Sequence, residues 1–183
     1  MSLSPATKQA LLAYARATLA AHLQGSAAPA LDPKAAAEAA QKAGAFVSLH
    51  TKGDHDLRGC IGTFSFDVPL AENVRRMAIA AGTDDPRFPP MTAAELAKVV
   101  FEISALTPPV AIQAADVVVG THGLLVSRGM YRGVLLPQVA VDWTWSREEF
   151  LTQTCRKAGL DGDAWKEAGT KIEAFTAEVF AES

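Results

Sequence analysis

Hydrophobic and polar positions change period several times along the chain, and each change marks an element. Leu12, Ala15, Leu19 and Leu23 recur at helical spacing behind Ser4-Pro5, an N-cap and first-turn pair, and Gly25 ends the run. This predicts a helix over about residues 5 to 23. The Ala- and Pro-rich stretch that follows reads as a connector with a short helix over Pro33 to Lys42. GAFVSLH and LRGCIGTF have strand character and are joined by the polar turn TKGDHD, which predicts a hairpin. Asp67 stands at the cap of a helix with the apolar stripe Leu70, Val74, Met77 and Ala81, closed by Gly82. Thr92 and Glu95 form a capping box, with Met91 and Leu96 at staple positions. The helix it starts must be short, because KVVFEISALTPP is strand-like, with Val99, Phe101 and Ile103 on one face.

In the second half DVVVG reads as a short strand, and GLLVSRGMYRGVLLPQ as a hairpin turning at Arg128-Gly129. Ser146 and Glu149 make a second capping box, flanked by the staple pair Trp145 and Phe150, so a helix runs from about Arg147 to Ala158 and stops at Gly159. A turn of helix falls around Ala164 to Ala168. KIEAFTAEVF then reads as a last strand with Phe175, Ala177 and Val179 facing one way, and a C-terminal helix is the competing reading. Hairpins interspersed with helices of uneven length do not match regular strand-helix alternation, so the fold expected is α+β, a mainly antiparallel sheet with flanking helices.

Composition narrows the setting. A length of 183 residues suits a single domain over residues 1–183, and 49% apolar with 20% charged residues is ordinary for a soluble globular chain. A net charge of -3 argues against a broad basic face for nucleic acid. Cys60 and Cys155 show no CxxC pairing, which points to reduced thiols in a cytoplasmic setting. The N-terminal segment lacks the basic region of a secretion signal, and no apolar run reaches the roughly 18 to 20 residues of a membrane span. His22, His50 and His55 have no ligand-like spacing to either cysteine, so no metal site is expected. There is no GxGxxG and no GxxxxGK[ST], and the cofactor question stays open.

Candidate chemistry centres on LRGCIG, residues Leu57 to Gly62. In a strand, Leu57, Gly59 and Ile61 share one face while Arg58, Cys60 and Gly62 share the other, so Arg58 and Cys60 are same-face neighbours. An adjacent guanidinium favours the thiolate, the nucleophilic form of cysteine. Gly59 and Gly62 remove bulk and let a backbone or a ligand approach closely. The competing reading makes Cys60 a small buried hydrophobe, Arg58 a structural ion-pair partner and the glycines part of a bulge. Further polar groups sit in loops: Asp84, Asp85 and Arg87 in DDPRFPP, as acid/base or metal groups or as a turn with an internal salt bridge, and His122 in GTHGL, as a base or a turn residue. Arg132 and Gln138 bracket YRGVLLPQ and could bind an anion or satisfy backbone groups.

LRGCIGTF, DPRFPP, GTHGL, RGVLLPQVA and TCRKAGL, in this order, resemble the AMMECR domain family, and the resemblance spans about Ala10 to Phe180. Similar bacterial and archaeal proteins are labelled protein A of the AmmeMemoRadiSam system. The resemblance implies one α+β domain of two unequal subdomains with a cleft between them near LRGCIG. It also implies a pathway shared with Memo-type and radical SAM proteins. The family's motif positions fall here on Arg58, Gly59, Cys60, Asp85, Arg87, His122, Arg132 and Gln138. Asp142 stands where similar proteins more often carry Glu, and Thr144 where they often carry Gly, so that stretch is not carried over as a site. Residues and resemblance together lead to an expected cleft-based enzyme for a small molecule or peptide. In it Cys60 is the nucleophile or thiol ligand, Arg58 stabilises the thiolate or an anionic substrate, and His122 is the candidate base. Gly59, Asp85, Arg87, Arg132 and Gln138 would bind substrate. The alternative is a non-catalytic interaction or regulatory module of the same pathway.

Overall fold

The structure, a computed structural model, describes residues 2–182. The chain divides into two compact units, Met1–Leu106 with Glu178–Ser183, and Thr107–Ala177. Each carries one four-stranded sheet with helices beside it, the α+β architecture expected.

In the first unit, α1 (Pro5–Leu23) has the predicted bounds because Ser4 and Pro5 start it, Ser4 Oγ accepting the Thr7 N–H at 3.2 Å. A short α2 (Pro33–Glu38) ends before Lys42 and is capped by Asp32, which accepts the N–H groups of Lys34 and Ala35. β1 (Gly44–Thr51), β2 (Leu57–Thr63) and β3 (Val99–Leu106) join β8 (Ala177–Ala181) in the order β2-β1-β3-β8. α1 and α3 (Leu70–Thr83) cover one face of the sheet. Period-two alternation sends Ala45, Val47 and Leu49, with Val99, Phe101 and Ile103, into that core. The other face carries Phe46, Ser48 and His50 on β1 and Val100, Glu102 and Ser104 on β3.

Two expectations for this unit give way. Asp67 does not cap α3: Pro69 occupies the N-cap, and the Asp67 carboxylate instead takes the Ser65 hydroxyl. Gly82 lies inside α3 rather than closing it, and an added Cβ would stand 2.8 Å from both methyls of Leu19, so it lets α3 pack on α1. Of the expected Thr92/Glu95 capping box only one arm forms, the Glu95 carboxylate accepting the Thr92 N–H and hydroxyl, while the Glu95 N–H goes to the Thr92 carbonyl and only a 3-10 turn over Leu96–Lys98 fits before β3 begins.

The second unit orders its strands β4-β7-β5-β6, built from β4 (Val110–Ala111), β5 (Gly123–Arg128), β6 (Tyr131–Leu135) and β7 (Lys171–Phe175). α5 (Arg147–Lys157) packs on β5 and β6 over a core of Leu124, Leu135, Phe150 and Leu151. Both arms of the Ser146/Glu149 box are formed, and Gly159 takes φ +77 just beyond the helix, as its stop position predicts. The hairpin turn consists of Gly129 and Met130, one residue later than expected, because Arg128 still pairs with Tyr131. DVVVG is not a strand; a 3-10 turn over Ala114–Asp116 runs into it and Gly120 turns the chain with φ +82. KIEAFTAEVF is two strands, not one: β7 belongs to this sheet and β8 to the other, with the break at Thr176, whose carbonyl accepts the Thr107 N–H at 3.0 Å. α4 (Pro137–Asp142) and β4 had no sequence signal strong enough to separate them from their neighbours.

Candidate functional site

β2 is an edge strand, and an edge leaves backbone groups in need of partners. At Cys60 the partners come from the DPRFPP loop. Asp85 Oδ2 accepts the Cys60 N–H at 2.8 Å, and Arg87 Nη2 donates to the Cys60 carbonyl at 3.2 Å. Arg87 also grips Asp85, through Nε at 2.9 Å, Nη2 at 2.7 Å and its backbone N–H at 3.1 Å. The pair thus stands in for a neighbouring strand at one residue. The Asp85 side chain is 2% exposed while that of Arg87 is 55% exposed, so the clamp has a buried anionic end and an open cationic end. The Arg87 guanidinium, then the N–H groups of Cys60 and Arg87, hold the Asp85 carboxyl far below the usual carboxylate range against the opposing effect of burial. The same contact with Asp85 raises Arg87, with a smaller contribution from Cys60. Asp84 is exposed and only accepts the Thr83 hydroxyl, so the two neighbouring aspartates do not act as a pair.

The Cys60 thiol is half-buried, on the sheet face away from the α1/α3 core. Ser48 lies opposite it on β1 and donates its hydroxyl to Cys60 Sγ at 3.1 Å. Alternation fails at one step of β2: Leu49 pairs with Gly59 and His50 with Leu57, leaving Arg58 as the extra residue of a bulge. Bulges re-aim side chains, and Arg58 reaches Glu95 rather than sulfur. Its Nε and Nη2 lie 3.2 and 3.0 Å from Glu95 Oε1, and Nη2 donates to the Pro89 carbonyl at 3.0 Å. The ring of Phe88 lies near both guanidinium groups, 5.8 Å from Arg58 and 5.5 Å from Arg87. Glu95 is held low, first by the Thr92 N–H and hydroxyl and then by Arg58. The guanidinium that binds the Cys60 backbone is therefore that of Arg87, and the ion-pair reading describes Arg58.

Gly59 is filled from the core side. A Cβ there would lie 2.1 Å from the Ala81 carbonyl oxygen, so its bareness admits α3, not a ligand. Gly62 likewise makes room for the Phe46 ring. The remaining expected residues belong to the second unit. His122 closes the turn after Val118: its backbone N–H donates to the Val118 carbonyl at 3.0 Å and its Nδ1 accepts the Val118 N–H at 3.1 Å. That bond requires an unprotonated Nδ1, so the neutral ring carries its proton on Nε2, as a donor. Arg132 is exposed on β6 opposite Ser127, and Gln138 is exposed in the first turn of α4. Cys155 is buried, and burial raises its thiol.

Ser48 carries no signal of its own in the sequence, and Glu95 is read there only as half of the Thr92 capping box. Hairpin register would have found Ser48, since it depends on the length of the Thr51–Leu57 connection; nothing local to Glu95 announces Arg58. Among the described residues no group of three or more His, Cys, Asp or Glu is placed to hold a metal, and no helix is long and apolar enough to cross a membrane.

Comparison with known proteins bears on the identity of the chain. A Methanocaldococcus jannaschii protein, MJ0810, is 45% identical over 149 residues, covering 78% of this chain and 74% of its own. PF1979 of Pyrococcus furiosus is 46% identical over 151 residues, covering 78% and 72%. The crystal structure of the uncharacterised protein PH0010 from Pyrococcus horikoshii superposes with a TM-score of 0.86 at 38% identity, over 99% of this chain and 94% of that one. The AMMECR1 family model matches residues 12–180, and with relatives this similar over most of their length, the chain belongs to the AMMECR1 family.

Proposed function

We propose that the Cys60 face of the β1–β2 hairpin is the working surface of this protein, a thiol-dependent site for a small molecule or peptide. Cys60 serves as nucleophile or thiol ligand, the Ser48 hydroxyl steadies its sulfur, and Arg87, paired with Asp85, holds the Cys60 backbone. The observation that carries the reading is the hydroxyl donated to a half-buried sulfur at 3.1 Å, on a strand whose edge is pinned by Asp85 and Arg87. Arg58 enters as the anchor of Glu95 and Phe88 rather than as the thiolate's partner. His122 is left out as base, because its Nδ1 is spent on Val118. Arg132 and Gln138 are not required. The test is alkylation of the native protein with iodoacetamide, mapped to residue by mass spectrometry. Modification of Cys60 with Cys155 untouched supports the reading; a Cys60 as protected as Cys155 ends it.

A second reading, a non-catalytic module that binds Memo-type and radical SAM proteins of a common pathway, draws support from the β5–β6 hairpin tip, where Met130 is 99% exposed and Tyr131 is exposed beside it. Exposed apolar tips of this kind suit a protein partner. Co-purification tests it, and loss of any complex on Met130→Ser is the expected result.

A further inference from the structure

Three strands place three side chains in one row. Ser48 on β1 is the Cα partner of Cys60 on β2 and also of Glu102 on β3, so Cys60, Ser48 and Glu102 lie side by side on the face away from the α1/α3 core. With strands about 4.8 Å apart, the thiol and the carboxylate are rooted roughly 10 Å from each other with Ser48 between them. The charges on this side of the sheet are mostly spoken for. Arg58 is paired with Glu95, and Arg87 with Asp85. Glu102 is half-buried and has neither an ion pair nor a hydrogen bond from its carboxylate among the described residues. Its neighbours on β3, Val100 and Ser104, bring no charge, and on β1 the titratable residue nearest in register is His50, whose Nδ1 lies 3.2 Å from the His55 carbonyl.

We propose that Glu102 sets the charge preference of the Cys60 site: it takes the positively charged or N–H-donating end of a substrate whose electrophilic end reaches the thiol. The inference rests on Cys60 being the working thiol and adds the class of molecule it meets, a small cationic electrophile or an amine-bearing peptide. Two internally neutralised ion pairs leave Glu102 as the unopposed negative charge in the row of the thiol, and a half-buried carboxylate without a partner suits a ligand cation.

The probes are two methanethiosulfonate reagents that differ in charge, one carrying a trimethylammonium group and one a sulfonate. In each case the Cys60 thiolate attacks the thiosulfonate, a mixed disulfide forms and methanesulfinate leaves, so only the charge of the transferred arm differs. Rates are mapped to Cys60 and divided by those of the same reagents with 2-mercaptoethanol. Roughly a threefold to tenfold preference for the cationic reagent is expected for unpaired unit charges at this spacing, shrinking as salt is raised. Glu102→Gln should abolish the preference and Glu102→Asp should retain it. A wild-type preference for the sulfonate, or a cationic preference unchanged in Glu102→Gln, overturns the proposal while leaving Cys60 as the working thiol. Failure of both reagents to modify Cys60 instead removes the thiol site itself. Should Glu102→Gln not fold, the salt dependence of the wild-type ratio decides alone: a cationic preference that fails to shrink with salt refutes the role of Glu102.

Discussion

The carboxylate of Asp85 accepts the backbone N–H of Cys60 at 2.8 Å, and Arg87, two residues on, returns a hydrogen bond to the carbonyl of the same cysteine at 3.2 Å. Two residues of a loop thereby satisfy both backbone groups of one residue at a sheet edge. The arrangement fixes where the thiol stands without touching the sulfur, which is left to Ser48. The backbone and the sulfur of Cys60 are thus held by different groups.

Asp85→Ala should show what the clamp contributes. It leaves the Cys60 N–H without its partner and Arg87 without its anion, and a loss of about 1–3 kcal/mol in urea unfolding at pH 7 is expected. Because the folded carboxyl lies below its unfolded value, the wild type binds fewer protons folded than unfolded in acid. The Asp85 contribution is therefore present above the unfolded pKa of about 4 and is lost as pH falls through the depressed folded value. Unfolding curves between pH 5 and pH 2 should converge for wild type and variant; a gap that stays constant with pH would show the carboxylate's charge to be irrelevant.

Gly59→Ala tests the packing role of the motif's first glycine. The added Cβ would sit 2.1 Å from the Ala81 carbonyl, a backbone atom inside α3 that cannot swing away. Destabilisation of about 2 kcal/mol or more is expected from thermal unfolding, with Cys60 still open to alkylation in the folded fraction. A neutral substitution would mean that β2 and α3 can separate freely.

What could be read from the residues alone follows a physical division. Local signals were sufficient where an element is decided by its own ends: Ser4-Pro5 and Gly25 bound α1, and Ser146 with Glu149 starts α5. Alternation identified Val99, Phe101 and Ile103 as core. Failures came where tertiary partners decide. Nothing within KIEAFTAEVF says that Phe175 and Ala177 enter different sheets, and period two cannot anticipate a bulge, so Arg58 was placed beside a sulfur that it leaves for Glu95. That Cys60, Asp85 and Arg87 stand in the motifs was legible, and the three do meet. Their division of labour was not, because it depends on backbone hydrogen bonds across 25 residues of chain.

Thr144→Gly should stabilise the second unit. Thr144 has φ +54 in the turn between α4 and α5, a conformation that a β-branched residue adopts only under strain. Relief of about 1 kcal/mol, read as a rise in melting temperature, is expected after allowing for the extra freedom that glycine gives the unfolded chain. A lower melting temperature would mean that the turn is unstrained.

In the proposed site Ser48 makes the Cys60 thiol reactive while Asp85 and Arg87 hold it in place. This is tested most directly by the second-order rate constant for iodoacetamide at Cys60, measured at pH 7.5 in wild type and in Ser48→Ala. Loss of the hydroxyl at 3.1 Å should slow modification by about threefold or more with the melting temperature nearly unchanged, as expected for losing one hydrogen bond to the attacking sulfur. Equal rates in the two proteins would contradict it.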